Sequence, residues 1–187
     1  MQTFSLCHST RQRVVILNYQ TTGKYFFFNH LENLSTKFIY VNNSRCVAER
    51  NNSHYSQGYV FSQRYLQLGE KLVLQILQTD ELFAGSLAFG LTTCDPSKLN
   101  SINLPEDPHQ LLDRPEYWVV IKDVANAPQA GDELAFKINQ TGEVQMIKNR
   151  QLPITLMHVD QTQKLWPFFD LYGSTIKVKV LGKRFDF

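Results

Sequence analysis

The sequence predicts an all-β chain, an antiparallel sandwich or barrel. Three observations lead there. About a dozen short apolar runs recur at roughly 8–12-residue spacing with turn signals between them. Several alternate with a period of two, the spacing of a strand with one buried face. No window shows a sustained helical period.

The chain is organised around residues 84 to 96. Leu87, Phe89 and Leu91 alternate with Ser86, Ala88 and Gly90, so one face is bulky and the other small. The small face implies close approach by a strand, a loop or a ligand. Asp95-Pro96 ends the strand, because proline donates no hydrogen bond and holds its predecessor extended. Such a strand needs neighbours on both edges and a second layer over Leu87 and Phe89.

From the start, Thr3 to Leu17 reads as two short strands around residues 9 to 13. Val14 to Leu17 is apolar throughout and suits burial on both faces. Residues 19 to 44 differ in character: Lys24 to Phe28 and Phe38 to Val41 are bulky and flank the polar stretch Asn29 to Thr36. Cys46 to Glu49 and Gly58 to Phe61 are short strands on either side of the polar loop Arg50 to Ser56. Tyr65 to Glu70 turns into a long strand, Lys71 to Leu77, with Leu72, Leu74 and Ile76 on one face.

Asp95 to Glu116 is a long loop with four prolines, Pro96, Pro105, Pro108 and Pro115, and loops of that length often carry binding function. Tyr117 to Ile121 is a strand. Leu134, Phe136 and Ile138 face inward from the next. Residues 139 to 142 make a hairpin loop in which Gly142 takes positive φ, and Val144 and Met146 lie on the return. Leu152 to Val159 and Leu165 to Tyr172 follow. In the last strand Ile176, Val178 and Val180 point in, with Lys177 and Lys179 in water.

The chain of 187 residues has room for one domain of ordinary size. Its 12% aromatic content, with 13 phenylalanines, builds a core rather than a disordered segment. A net charge of +2 with dispersed basic residues gives no footprint for nucleic acid, and no apolar run reaches the length of a membrane span. Met1 to His8 lacks a basic region followed by an apolar run, so no signal peptide is expected. Cys7, Cys46 and Cys94 are odd in number and far apart, as free thiols in a reducing compartment would be. Sequons at Asn33, Asn42, Asn51 and Asn139 would then go unused.

Residues 59 to 173 also carry a resemblance. Tyr59-Val-Phe-Ser62, Leu68-Gly-Glu-Lys71, the segment Gly85 to Pro96, Asp113-Arg-Pro-Glu-Tyr-Trp-Val-Val120 and Leu165-Trp-Pro-Phe-Phe-Asp-Leu-Tyr-Gly173 occur in one order. Together they resemble a neuralized homology repeat, and within that family the second repeat of Neuralized-type E3 ubiquitin ligases. The likeness spans Phe4 to Val180 except residues 19 to 44. It implies a single repeat over residues 1 to 182 with a tail at 183 to 187, folded as a β-sandwich of SPRY-like jelly-roll type.

The resemblance implies a protein-binding module, not a catalyst, with no cofactor. Implied partners are a Notch-ligand intracellular tail or a Bearded-type inhibitor with a short Asn-rich motif. The family's ligases promote endocytosis of Notch ligands, which implies a cytoplasmic location, including the cytoplasmic side of the plasma membrane or endosomes. Paired Cys-x-x-Cys clusters are missing, so this chain builds no zinc RING. The segment 19 to 44 departs from the family pattern. It reads either as an inserted hairpin or as a gene-model artefact, since Gly23-Lys24-Tyr25 and Asn42-Asn43-Ser44 can be encoded by splice-site sequences and Gly182-Lys183 by a further donor.

Candidate chemistry is sparse. The five histidines show no metal spacing. His158 and Asp160 share a strand face, but no nucleophile motif accompanies them, and a structural hydrogen bond is the plainer role. Asp80-Glu81 and Glu106-Asp107 are turn charges rather than a glycosidase pair. Trp118 and Trp166 lie in apolar strands, which favours packing over service as peptide anchors. The peptide-binding candidates are loop residues: Arg64 and Tyr65; Asp113, Arg114, Glu116 and Tyr117; and Asp160, Gln161 and Lys164. Such side chains supply the paired donors and acceptors that amide-rich peptides need. The second reading is a lectin-like ligand-binding sandwich. A lectin would be expected to carry a secretion signal.

Overall fold

The structure is a computed structural model that describes residue 28, residues 39–99 and residues 104–184. The strands expected within Thr3 to Leu17 lie outside the described residues, as does most of the segment 19 to 44.

The described strands are β1 (Ile39–Val41), β2 (Val47–Arg50), β3 (Tyr59–Phe61), β4 (Lys71–Thr79), β5 (Leu87–Thr92), β6 (Trp118–Ile121), β7 (Glu133–Ile138), β8 (Glu143–Lys148), β9 (Ile154–His158), β10 (Trp166–Leu171) and β11 (Thr175–Arg184). They form two antiparallel sheets, one ordered β1-β2-β11-β4-β7-β8-β9 and the other β3-β10-β5-β6. The two sheets face each other across one apolar core, as an antiparallel sandwich should. Phe89 of β5 stacks on Phe136 of β7 across the layers, with ring centroids 4.2 Å apart, and Phe169 of β10 packs on both.

The alternation in the sequence sets this core. Leu72, Leu74 and Ile76 of β4 are buried, with Leu134, Phe136 and Ile138 of β7, and Val144 and Met146 of β8. Val178 and Val180 of β11 join them, while Lys177 reaches out to Glu49 at 2.6 Å. The hairpin loop after β7 turns at Gly142 with φ +84°, where a side chain would run into the Val159 carbonyl. β5 has β10 on one edge and β6 on the other.

The four-stranded sheet is buried on its outer face too. Tyr59, Phe61, Ala88, Trp118, Val120 and Phe168 form a second cluster there, closed by Leu104 and Leu111 from the long loop. Among its described residues that loop makes 3₁₀ turns at Pro96–Lys98 and Pro108–Asp113. Asp95 and Asp107 cap them, each accepting from an amide two residues on, and each carboxyl lies below its usual range because of that bond. The Tyr59 hydroxyl donates to the Pro105 carbonyl at 2.9 Å. The loop thus returns as a cover, which explains why all of β3 and β5 is buried.

The small face of β5 accommodates a ring. A Cβ at Gly90 would collide with the Phe168 ring and lie 2.7 Å from the Val119 carbonyl oxygen. Gly90→Ala is therefore expected to lose about 1–3 kcal/mol of stability, read from a urea midpoint. An unchanged midpoint would show that the ring is free to move aside.

Of the segment 19 to 44, Phe28 is buried and bridges to Ser62, and its amide donates to the Arg45 carbonyl at 2.7 Å. Ile39–Val41 is the edge strand β1, paired with β2. These residues are part of the sandwich. At the other terminus, Lys183 and Arg184 extend β11 beside Leu72 and Lys71.

Candidate functional site

One end of the four-stranded sheet collects most of the loops singled out in the sequence. Thr92, the last residue of β5, pairs with Trp166 at the start of β10 and with Trp118 at the start of β6. Its hydroxyl donates to the Tyr117 carbonyl at 3.1 Å. The amides of Ser62 and Leu66 donate to the carbonyls of Pro167 and Leu165, which seats the 62–66 loop beside β10. Two ridges result, one on either side of the end of β5.

The first ridge is Tyr65, Lys164 and Trp166. Tyr65 meets the half-buried Trp166 edge to face, with centroids 5.8 Å apart and planes at 74°. The Lys164 ammonium lies 5.5 Å from the Tyr65 ring centre, in range of the ring's negative face. The second ridge is Arg114, Glu116, Tyr117 and the edge of Trp118. Trp118 itself is core, 4% exposed, with the Arg114 guanidinium 5.9 Å from its ring centre. Asp113 ends the 3₁₀ turn just before it, and Asp113, Glu116 and Tyr117 are exposed. Aromatic walls with adjacent cations suit a polypeptide, whose carbonyls accept from the cations while its side chains pack on the rings.

The other candidates stand elsewhere. Arg64 turns inward and grips Glu70 with both guanidinium nitrogens, at 2.5 and 2.8 Å. It also donates to the Tyr65 carbonyl, so it braces the turn into β4. Asp160 closes its own turn, accepting from the Thr162 amide and hydroxyl, which holds its carboxyl below the usual range. Gln161 leans toward the Gln140 carbonyl of the β7–β8 hairpin. His158 is 3.8 Å from Glu143, and Asp160 is committed to Thr162 and Gln163, so the two do not form the hydrogen-bonded pair that their spacing suggested. Among the described residues, no three His, Cys, Asp or Glu side chains are grouped to hold a metal ion.

Two features escaped the sequence reading. Trp166 looks like core by position but is half-exposed beside Tyr65. The other is Asp170, at the far end of β10, about 13 Å along the strand from Trp166. It is fully buried, yet it borders a cleft of about 300 Å³. Burial pushes its carboxyl up to about 7.

A sequence model of the Neuralized family matches residues 33–182. The chain is 42% identical over 180 residues to protein neuralized of Drosophila melanogaster, covering 96% of this chain and 24% of that protein. It is 41% identical over 124 residues to the human E3 ubiquitin-protein ligase NEURL1B, covering 66% of this chain and 22% of that one. The chain thus spans about a quarter of the length of these relatives. The crystal structure of the Drosophila neuralized NHR1 domain superposes with a TM-score of 0.73 at 20% identity, over 85% of this chain and 99% of that one. This likeness bears on the fold: the layers described above are those of an NHR domain.

Proposed function

The chain belongs to the Neuralized family, and from that premise we propose that it is the substrate- or inhibitor-recognition module of a Neuralized-like E3 ubiquitin ligase. It binds a short peptide motif of the kind found in Notch-ligand intracellular tails or Bearded-type inhibitors, and it performs no catalysis itself. It would act in the cytoplasm, where such tails lie. The observation that supports this reading is the pair of ridges at the end of β5, where Tyr65, Lys164 and Trp166 stand opposite Arg114 and Tyr117.

The test is a titration with a fluorescent Asn-rich peptide from a Notch-ligand tail, run beside a glycan array. Lys164→Glu and Arg114→Glu are each expected to weaken peptide binding about tenfold or more. The fold, read by circular dichroism, should persist, since Lys164 is exposed and Arg114 only half-buried. Unchanged affinity in both variants would reject the ridges as the contact surface. Binding to glycans alone would favour the lectin-like reading.

A further inference from the structure

The end of the sandwich away from the ridges holds a buried carboxylate that is short of donors. Asp170 is 0% exposed, and neither carboxylate oxygen reaches a hydrogen-bond partner. The Gly58 amide, aimed at the carboxylate from the backbone, and the Arg50 guanidinium both pull its carboxyl down. Arg50 Nη2 donates to the Gly173 carbonyl at 2.6 Å, while its Nε and Nη1 are buried and make no hydrogen bond. A buried charge left in this state is costly, and an undersatisfied carboxylate beside an open cleft can take a further donor from it.

The cleft beside it suggests which donor. Its lining includes Tyr55, Glu106, Asp107, Lys122 and Tyr172 as well as Asp170. Three carboxyl groups face one ammonium. That ammonium is already committed, 3.5 Å from Asp107 and 5.4 Å from the centre of the Tyr172 ring. Glu106 at the mouth holds only a weak bond from Ser56 at 3.4 Å. The exposed ring of Tyr55 and the half-buried ring of Tyr172 supply flat walls. A volume of about 300 Å³ is at the low end for a bound molecule and suits a single long side chain.

We propose that this cleft receives one basic side chain of a partner polypeptide, its ammonium or guanidinium donating to Asp170 at the floor and to Glu106 at the mouth, with its stem against Tyr55 and Tyr172. This is a second contact, remote from the ridges, and it does not depend on what binds there.

Binding should then follow the charge of Asp170. Burial raises its carboxyl, and Asp107 adds to that, while Gly58, Arg50 from β2 and Lys122 beyond β6 pull it down. Tyr59, its cross-strand neighbour on β3, and Tyr172 in the turn after β10 are both held well above their ordinary range and stay neutral. Glu106 completes the set facing the cleft. With the carboxyl at about 7, its ionised fraction, and so the affinity for a cation, should rise about thirtyfold from pH 5.5 to 8.5.

The probes are Nα-acetyl-arginine amide and Nα-acetyl-lysine amide, with the uncharged Nα-acetyl-citrulline amide as control, followed by amide NMR shifts of the intact chain. Saturable shifts at Gln110, Lys122 and Tyr172 are expected with at least one cationic probe and not with citrulline, tightening as pH rises. Asp170→Asn should abolish the pH dependence and weaken binding at least tenfold. Glu106→Gln and Tyr55→Ala, at the exposed mouth, should weaken it with the fold intact, so the proposal stays testable if Asp170→Asn fails to fold. The proposal is overturned if no probe saturates, if citrulline binds as well, or if affinity ignores pH. It is also overturned if Asp170 answers only to Arg50 through an internal water.

Discussion

Arg64→Ala is expected to lose about 3–5 kcal/mol of folding free energy, a large share of what a domain of this size possesses. The reason is Glu70, which is 1% exposed and takes both guanidinium nitrogens at 2.5 and 2.8 Å. Truncating the arginine leaves a buried carboxylate that keeps the Gln67 amide at 3.1 Å but loses its guanidinium. The chain must then protonate Glu70, hydrate it or unfold. Replacing both partners, as Arg64→Met with Glu70→Leu, should recover most of the loss, because no charge remains stranded. Urea midpoints for the two singles and the double form the measurement. A single variant as stable as the parent would mean that the ion pair contributes nothing to the turn into β4. Because the same variants can be titrated with peptide, they also separate a brace from a contact residue.

Phe89→Ala should lose a similar amount, about 3–5 kcal/mol. Phe89 is fully buried, stacked on Phe136 at 4.2 Å and tilted against Phe169 at 5.5 Å. Its ring is where the two layers touch through aromatic faces, so truncation opens a void that both sheets border. The strands around it are paired on both edges and resist collapse into the space. Phe89→Leu, which fills most of the volume, should lose less than half as much. Thermal unfolding of both variants decides the matter, and equal melting temperatures for the two would show that the neighbours close the gap.

Most of the sandwich was legible in the residues. Alternation in β4, β7 and β11 placed Leu72, Leu74, Phe136, Val178 and Val180 correctly, because one face of each strand meets the core. Periodicity fails where both faces are covered. β10 reads Trp-Pro-Phe-Phe-Asp-Leu, and nothing in that run separates the half-exposed Trp166 from the buried Asp170. What separates them is a cover contributed from residues 104 to 113, more than fifty positions away. Arg64 was misleading for a related reason. Its partner is six residues on, a spacing that neither helix nor strand brings together, and only the turn at Gly69 does so. The ridges were half visible: loop position identified Tyr65, Arg114, Tyr117 and Lys164, but their convergence on Thr92 is a property of strand order.

That order has a consequence for how the molecule is made. β11, the last of the described strands, lies in the middle of the large sheet, between β2 and β4. Among the described strands, a growing polypeptide emerging from the ribosome therefore carries the β1–β2 pair, and β4 with one side bare, until β11 follows. The gap closes only when the final strand slides in between them. Contacts this distant along the chain form slowly, and unpaired strands waiting for them invite pairing with other molecules. Closure of the large sheet should thus be a late step, and this domain should depend on chaperones while β11 is still being made.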